Sequence, residues 1–399
     1  MVIKDKKIIL GVTGGVAAYR ACEIIRRLGE EGAAVWPVMT EAATRFVTPL
    51  SLSTLAAGSA YHDLFAENPA GISHIELAEK ADVILIAPAT ANVIGKIASG
   101  IADDLLTTVV MASEAPKLVA PAMNHRMYEN PVVQENIGRL KSRGFKFVGP
   151  EYGALACGWE GMGRLSRVED IIEAVKDVLS GKDLEGEKVL VTAGSTREAI
   201  DPVRFLSNAS SGRMGYSLAR AAKRRGAEVV LVSGPTYLAE PAGVTVVKAV
   251  SAEDMMDAAI RYYPQSTVVI MAAAVSDFRP VDSHPRKVKK ENSPLTLDLE
   301  RTPDILKEMG KKKKKGQVLV GFALETENLV ENATAKLREK NLDMVVANGP
   351  AGLDSDVTQA ILIGRAAGGA EKLPLLSKEE VSERILDRVK SLIASMRVR

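Results

Sequence analysis

The sequence has few cysteines, no long apolar run and little net charge, and each of these excludes a class of protein. The chain of 399 residues has only two cysteines, too few for a disulfide framework, so we expect a reducing compartment. It has no apolar run near the ~20 residues that a membrane-spanning helix needs. Its 52 basic and 50 acidic residues give a net charge of +2, which argues against a nucleic-acid-binding protein. We therefore expect a soluble, cytoplasmic protein that binds neither nucleic acid nor a membrane.

The N-terminal segment imitates a signal peptide because lysines precede a short apolar run. That run contains Thr13 and three glycines, however, and it leads into the amphipathic segment EIIRRLGEEG. A first β-strand followed by a helix explains the pattern better than a leader sequence does.

Short apolar runs alternate with helical patterns along the whole chain. Nearly unbroken apolar runs are typical of strands covered on both faces in a parallel sheet, and the alternation predicts βαβ units. Both halves open with a strand, a glycine turn, a helix and a second strand. We predict an α/β fold of two doubly wound, mostly parallel-sheet (Rossmann-like) domains in tandem. The predicted strands are KIILGVTG, AAVWPVM, DVILIAP, KLVAPAM and FKFVG in the first half, and KVLVTAG, EVVLVSG, VTVVKAV, TVVIMAAAV, QVLVGFA, DMVVAN and AILIG in the second.

The domain boundary is predicted within the polar segment LSGKDLEGEK (179–188), which gives domains 1–183 and 184–399. A helix ends before this segment and a new strand follows it. The last helix is predicted to begin at a capping Ser377, with a glutamate three residues further on.

Two motifs of the first half follow predicted strands, where open α/β sheets bind ligands. GVTGGVAAY (11–19) places backbone N–H groups at a helix start, where they can bind a phosphate. Its spacing is not G-x-G-x-x-G, and a simple tight turn is the alternative. APATANVIGKIASGIADDLL (87–106) supplies Pro88, Thr90 and Asn92, whose small polar groups suit a flat heteroaromatic ring. Capping of the next helix by Thr90 or Asn92 is the alternative.

Three further side chains are candidates for chemistry. His74 lies in SHIEL, although a lone histidine is more often structural. Asn124 follows a strand in PAMNHRMYENP, where it could serve only as a helix cap. Cys157 lies in GALACGWEGMGRLS, a glycine-rich loop that can bend, and an unreactive thiol is the alternative there.

Together these motifs resemble the flavin-dependent decarboxylases that act on cysteine-derived carboxylates, including the phosphopantothenoylcysteine decarboxylases of coenzyme A biosynthesis. The resemblance covers residues 6–180. It implies an FMN cofactor, which takes a hydride from the carbon bearing the thiol so that CO2 can leave. It also implies that His74 assists this step and that Asn124 holds the carboxylate. Cys157 would then protonate the enethiolate product once its loop has closed as a lid.

The same resemblance implies two sets of binding residues. Cofactor contacts are expected at Gly14, Gly15, Val16, Thr40, Pro88, Thr90 and Asn92. Substrate contacts are expected at Ala122, Met123 and Met127. It further implies a homo-oligomer with FMN sites at subunit interfaces, in which His74 reaches a neighbouring subunit's cofactor.

The second half has neither a P-loop lysine motif nor metal-ligand spacing. In VTAGSTREAIDPVRFLSNASSGRMG, the residues from Asn208 to Gly212 precede a helix, whose N-terminus can bind an anion. Asp277 lies at another strand end. Lys336 and Lys340 share one helix face, for which a solvated surface is the alternative.

This half resembles the phosphopantothenate–cysteine ligases over roughly residues 186–395, fused behind the decarboxylase as in bacterial and archaeal members. The resemblance implies that 4'-phosphopantothenate is activated by CTP, with Mg2+, and that cysteine then displaces CMP. Asn208 would act on the acyl-cytidylate, and Asp277 would bind either the ribose or a divalent ion. Lysines would neutralise phosphate charge. Nucleotide contacts are expected at Ala273, Asp277, Lys287, Pro303, Asp304, Ile305, Leu306, Phe322, Lys336 and Lys340.

Three alternative functions fit the sequence less well. A nicotinamide dehydrogenase would need a G-x-G-x-x-G turn and an acidic residue about 20 positions later, which the chain lacks. A flavin- and nucleotide-binding scaffold would not need His74, Asn124, Cys157 and Asn208 together. A decarboxylase with an inactive ligase half lies between these alternatives.

Overall fold

A computed structural model of the protein describes residues 2–65, 74–155, 158–289, 296–324, 327–349, 355–365 and 369–397. The chain forms two compact units, Met1–Ser180 and Gly181–Arg399. The division lies inside the polar segment 179–188. No described helix combines the length and the apolar character needed to cross a membrane.

Unit 1 has a five-stranded parallel sheet and a separate hairpin. Its strands are β1 (Lys7–Val12), β2 (Ala34–Met39), β3 (Val83–Ala89), β4 (Lys117–Pro121), β5 (Lys146–Phe147), β6 (Glu151–Ala154) and β7 (Glu160–Arg164). Its α-helices are α1 (Ala21–Glu30), α2 (Pro49–Leu55), α3 (His74–Lys80), α4 (Ala91–Ser99), α5 (Leu105–Ala112), α6 (His125–Tyr128), α7 (Pro131–Ser142) and α8 (Val168–Leu179). Short 3-10 helices cover Val16–Arg20 and Glu41–Arg45.

The sheet of unit 1 has the order β2-β1-β3-β4-β5, a doubly wound arrangement whose winding reverses between β1 and β3. Successive side chains of a strand point to opposite faces, and both faces of β1 are buried. Ile8 and Leu10 pack in the cluster formed with α1 and α8, whereas Ile9 packs in the one formed with α4 and α5. Burial on both sides is the reason for the unbroken apolar run in the sequence.

Unit 2 repeats this plan with a larger sheet. Its strands are β8 (Lys188–Ala193), β9 (Arg197–Ala199), β10 (Phe205–Ser207), β11 (Glu228–Ser233), β12 (Thr245–Lys248), β13 (Val268–Met271), β14 (Phe278–Pro280), β15 (Leu299–Arg301), β16 (Val318–Leu324), β17 (Met344–Asn348), β18 (Val357–Thr358), β19 (Ala360–Gly364), β20 (Ala370–Lys372) and β21 (Leu376–Ser377). Its α-helices are α9 (Arg213–Arg224), α10 (Ala252–Tyr262), α11 (Ile305–Lys312), α12 (Leu329–Glu339) and α13 (Lys378–Arg397), and a 3-10 helix covers Tyr263–Gln265.

The main sheet of unit 2 has the order β12-β11-β8-β13-β16-β17-β19-β20. The first six strands are parallel, and their chain order corresponds to the 3-2-1-4-5-6 order of doubly wound folds. β19 and β20 extend the edge in antiparallel pairing. Val189 and Val191 of β8 face α9 and α13, whereas Leu190 faces α10, α11 and α12.

The predicted α/β fold is confirmed, because every strand expected from an apolar run is present in one of the two main sheets. The expected cap of the last helix is also present. Ser377 Oγ accepts from the Glu380 N–H at 3.2 Å, and a Glu380 carboxylate oxygen accepts from the Ser377 N–H at 3.0 Å. The hairpins β6–β7, β9–β10 and β14–β15 were not predicted, because their short, partly exposed strands lack an apolar run.

The first turn of α9 lies so close to β8 that only glycine fits at position 215. A Cβ there would lie 2.5 Å from Ala193 Cβ and 2.9 Å from the Thr192 carbonyl oxygen. We expect Gly215→Ala to destabilise the protein by about 1–3 kcal/mol through overpacking. Gly138→Ala in α7 is the matched control, because nothing lies within 4 Å of its added Cβ. It should stabilise by about 0.5–1 kcal/mol. Urea denaturation followed by circular dichroism measures both changes, and equal shifts would contradict the packing argument.

Candidate active sites

A cavity of about 1200 Å3, here called cavity A, opens at the carboxyl edge of the unit 1 sheet. The segments that follow β1, β2, β3 and β4 line it, together with the β6–β7 hairpin. It therefore lies where the winding of the sheet reverses, the usual ligand site of an open α/β fold. The predicted site residues that line it are Gly14, Gly15, Val16, Thr40, Thr90, Asn92, Ala122, Met123, Asn124 and Met127.

Two helix starts face cavity A. One is the 3-10 helix from Val16, which continues into α1, and the other is α4. Gly15 and Thr90 occupy the N-cap positions, and neither makes a side-chain cap hydrogen bond. Thr90 thus takes the N-cap position that the capping alternative gave it, but its side chain makes no capping hydrogen bond. Because first-turn N–H groups and the helix dipole favour anions, this arrangement suits a phosphate.

Thr13 fixes the spacing between these two helix starts. Its fully buried Oγ1 donates to the Pro88 carbonyl oxygen at 2.7 Å and accepts from the Thr90 N–H at 3.0 Å. Pro88 itself is not among the described residues that line cavity A, and its predicted cofactor contact stays a prediction. Thr13 lies within the GVTGGVAAY motif, but the motif did not indicate this role, because the role depends on the approach of β3 to β1.

The Thr40 hydroxyl gives the clearest sign of a polar ligand in cavity A. Thr40 is 7% exposed, and within the described ranges its Oγ1 has no hydrogen-bond partner. An unpartnered buried hydroxyl costs about 1–3 kcal/mol, which a bound ligand would recover. The turn beside it is tight, since a Cβ on Gly14 would lie 2.4 Å from Ala42 Cβ. These residues fit a ligand with an anionic end and polar ring edges.

Asn124 both caps a helix and lines cavity A. Its Oδ1 accepts from the Arg126 N–H at 2.9 Å at the start of α6, so the capping prediction is confirmed. Beside it the Met123 N–H donates to the Gly163 carbonyl oxygen at 2.9 Å, which joins β7 to this strand end. A Cβ on Gly163 would lie 2.1 Å from the Met123 oxygen. Glycine at 163 therefore permits the close approach that places the hairpin over the cavity.

The β6–β7 hairpin has a second anchor at Trp159. The Trp159 ring lies 5.9 Å from the His125 ring between centroids, and the Arg126 guanidinium carbon lies 4.9 Å from the Trp159 centroid. Cys157, predicted to act from this loop, lies outside the described residues. His74 is the first residue of α3 and is not among the described residues that line cavity A. Within a single chain, His74 therefore does not line the cavity that Asn124 lines.

A second cavity of about 830 Å3, here called cavity B, lies in unit 2 at the carboxyl ends of β8, β13, β16 and β17. Lys287 is not among the described residues that line it, and its nucleotide contact stays a prediction. The predicted site residues that line cavity B are Asn208, Ala273, Asp277, Pro303, Asp304, Ile305, Leu306, Phe322, Lys336 and Lys340.

Lys336 and Lys340, two of the lysines that line cavity B, are held by specific partners. Lys340 Nζ lies 2.7 Å from an Asp304 carboxylate oxygen, and Lys336 Nζ donates to the Phe322 carbonyl oxygen at 2.8 Å. Burial alone would raise the pKa of Asp304, but the hydrogen bonds from Lys340 and the Lys307 N–H outweigh it, so the pKa is lowered. Both lysines are partly buried and line the cavity, and their role as nucleotide contacts stays a prediction.

Asn208 and two buried threonines bond to the segment that follows β13. Thr192 lies in β8, and Thr196 follows it. The Asn208 side-chain amide donates to the Val275 carbonyl oxygen at 3.0 Å. Thr192 Oγ1 accepts from the Ala273 N–H at 3.2 Å, and Thr196 Oγ1 accepts from the Ser276 N–H at 3.0 Å. Asn208 is thereby held beside the strand end that leads to Asp277. In the described part of the chain, no group of three or more His, Cys, Asp or Glu side chains could hold a metal ion.

Comparison with known proteins matches both units. The "Flavoprotein" family model matches residues 2–180, and the model "DNA/pantothenate metabolism flavoprotein C-terminal domain" matches residues 184–393. The coenzyme A biosynthesis bifunctional protein CoaBC of Bacillus subtilis is 47% identical over 399 residues, with 98% of each chain covered. That of Escherichia coli is 41% identical over 400 residues, again with 98% of each covered.

A crystal structure of the C-terminal domain of a coenzyme A biosynthesis bifunctional protein CoaBC is 45% identical. It covers 54% of this chain and 100% of its own, with a TM-score of 0.48. The two family models and the near-complete relatives lead to one conclusion: the chain belongs to the family of coenzyme A biosynthesis bifunctional proteins CoaBC.

Proposed function

We propose that the protein catalyses two consecutive steps of coenzyme A biosynthesis. Residues 184–399 ligate cysteine to 4'-phosphopantothenate with CTP through an acyl-cytidylate, and residues 1–183 decarboxylate the product to 4'-phosphopantetheine with FMN. The observation that carries this proposal is that each cavity gathers side chains of the expected chemistry from distant parts of the chain. Near-complete coverage of bifunctional relatives supports it for both units.

Cavity A would hold FMN by its phosphate and its ring edge. The helix start at Gly14 and Val16 supplies N–H groups for the phosphate, and the Thr40 hydroxyl supplies a donor that lacks another partner in the described structure. Bound FMN supplies the redox chemistry that makes loss of CO2 possible. Thr90 and Asn92 at the start of α4 supply further polar groups for the cofactor.

Asn124 would orient the substrate carboxylate, with Ala122, Met123 and Met127 around it. An amide held by its helix-capping bond has little freedom to turn, so it can position a carboxylate without a charge of its own. Cys157 would protonate the product, as a donor whose acidity is close to that of an enethiol. His74 would act in a homo-oligomer by reaching the FMN site of a neighbouring subunit.

Cavity B would bind the nucleotide between two groups of side chains. Lys336 and Lys340 supply positive charge for phosphate, while Asp304 keeps Lys340 in place. Asp277 would contact the ribose or a Mg2+ ion bound with CTP. Asn208 would bind the acyl-cytidylate through its amide, on the side of the cavity where α9 begins. We also propose that the protein is cytoplasmic, as predicted from the sequence.

Product analysis tests both activities. The full chain with FMN is incubated with 4'-phosphopantothenate, cysteine, CTP and Mg2+, and the products are identified by mass spectrometry. We expect 4'-phosphopantetheine, CMP, pyrophosphate and CO2. Accumulation of phosphopantothenoylcysteine would contradict the decarboxylase assignment. Unchanged 4'-phosphopantothenate and CTP would contradict the ligase assignment, and added phosphopantothenoylcysteine would then test the first unit alone.

Thr40→Val tests the cofactor site. The substitution removes a hydroxyl that has no described partner within the protein, so we expect the fold to be retained and FMN to bind about 5- to 10-fold more weakly. Titration of the apoprotein with FMN, followed by flavin fluorescence, measures the change. Thr54→Val is the control, because this exposed threonine of α2 bonds only to the Leu50 carbonyl oxygen among described partners. Equal affinities of the two variants would argue against the assigned contact.

Lys340→Met tests the nucleotide site. Loss of a cation beside the phosphates should raise the KM for CTP by about 10-fold or more. Lys307→Met is the control, since Lys307 Nζ forms an exposed ion pair with Glu339 at 3.1 Å and does not line cavity B. Its KM should stay within about twofold of the parent, as expected for a surface pair. A similar KM in both variants would exclude Lys340 from nucleotide binding.

A further inference from the structure

The β6–β7 hairpin approaches α6 with a face that carries two glycines and one tryptophan. Residues two apart in a strand share a face, so Trp159, just before β7, lies on the same side as Gly161 and Gly163. A Cβ on Gly161 would lie 2.7 Å from His125 Cβ, and one on Gly163 would lie 2.1 Å from the Met123 carbonyl oxygen. The glycines therefore let the backbone come close, and Trp159 is the side chain that this face offers to α6.

The Trp159 ring lies against the first turn of α6. Its centroid is 5.9 Å from that of the His125 ring, and the two planes are inclined by 35°. The Arg126 guanidinium carbon lies 4.9 Å from the same Trp159 centroid. Tilted ring pairs and cation–π contacts are both favourable. Because Trp159 is 54% exposed, these two contacts rather than burial in the core determine where its ring lies.

Backbone hydrogen bonds connect Trp159 to the loop between the two strands, residues 155–159, here called the hairpin tip. The Leu155 N–H donates to the Trp159 carbonyl oxygen at 2.8 Å, and the Gly158 N–H donates to the Leu155 carbonyl oxygen at 3.0 Å. Gly158 has a φ of 79°, which favours glycine. A contact that holds the Trp159 ring therefore also holds the described ends of the hairpin tip.

The partner of this contact, α6, begins directly after Asn124. Asn124 Oδ1 accepts from the Arg126 N–H at 2.9 Å, so the same first turn fixes the Asn124 side chain. On the hairpin, Ala154 and Leu155 line cavity A together with Asn124. Trp159 is not among the described residues that line this cavity. Its contact with α6 thus joins two walls of cavity A from outside the cavity.

We propose that Trp159 is a positioning residue of the decarboxylase site, which holds the hairpin tip on α6 through His125 and Arg126. This role rests on the function proposed for residues 1–183, in which Cys157, a residue of the hairpin tip in sequence, protonates the product. A tip held on α6 keeps a fixed spacing from Asn124. Proton transfer to a bound product requires such a fixed spacing.

Hydrogen exchange of the FMN-loaded full chain, followed by mass spectrometry, tests the docking without a reaction. Trp159→Ala removes both ring contacts, so amide exchange in β6 and β7 should become about 5- to 50-fold faster. Trp159→Phe keeps an aromatic ring and should stay within about threefold of the parent protein. Tyr152→Ala is the matched control, because Tyr152 is a 67% exposed aromatic residue of the facing strand. Exchange in α8 should be the same in all four proteins.

Turnover of phosphopantothenoylcysteine tests the consequence of the docking. Trp159→Ala should lower kcat by about 10- to 100-fold and leave the KM within about twofold of the parent value. Trp159→Phe and Tyr152→Ala should retain the parent kcat.

A single anaerobic turnover locates the defect at the protonation step. After loss of CO2, Trp159→Ala should release the enethiol, which is lighter than 4'-phosphopantetheine by two hydrogen atoms, and the electron pair taken from the substrate then stays on reduced FMN. Mass spectrometry identifies the product and flavin absorbance reports the reduction. A purely structural role of Trp159 would lower the amount of product without changing its identity.

The two effects of Trp159→Ala must occur together. Faster exchange with an unchanged kcat, or a reduced kcat with unchanged exchange, would overturn the positioning role. So would a Trp159→Phe variant as defective as Trp159→Ala. These results would leave the proposed function intact, whereas a parent protein that does not decarboxylate phosphopantothenoylcysteine would overturn the decarboxylase proposal itself.

Discussion

Buried threonine hydroxyls join neighbouring strand ends beside both cavities, at the point where each sheet reverses its winding. In unit 1 the Thr13 hydroxyl bonds to the Pro88 carbonyl oxygen near the end of β3 and to the N–H of Thr90, which follows it. In unit 2 Thr192 and Thr196 accept from backbone N–H groups that follow β13. Parallel strands that diverge at their carboxyl ends would otherwise leave these backbone groups unpartnered and buried, at a cost in stability. In unit 1 these bonds join the start of α4 to the end of β1, and in unit 2 they hold the segment that follows β13 against β8.

The two units share this framework and differ in the residues from which the predicted ligand contacts come. The predicted contacts of cavity A are backbone N–H groups, small hydroxyls and amides, which suit a planar cofactor with a single anionic end. Cavity B adds Lys336 and Lys340. This distribution fits a reaction in which negative charge develops on phosphate, because fixed cations in a partly dry cavity stabilise such charge without reorganisation.

Several parts of the cavities could be predicted because they lie in continuous segments. Gly14, Gly15 and Val16 follow directly on an apolar strand, and a helix must begin there. Trp159 and His125 gave no such signal, because their meeting depends on how the β6–β7 hairpin packs on α6. The β6–β7 hairpin was also unexpected, since it depends on glycine at 163 packing against Met123. Such contacts join segments far apart in the chain, and no local pattern records them.

The sequence by itself determined the two α/β halves, the strands and the segments that carry the ligand-binding residues. Apolar runs and glycine turns act locally, through burial and backbone freedom, so the order of residues is sufficient to reveal them. Tertiary structure decided which side chains meet. It brought Asp304 to Lys340 and left the Thr40 hydroxyl buried without a described partner. Those distances depend on how strands pair and helices pack. Whether a buried polar group has a hydrogen-bond partner depends on the atoms that the fold places around it.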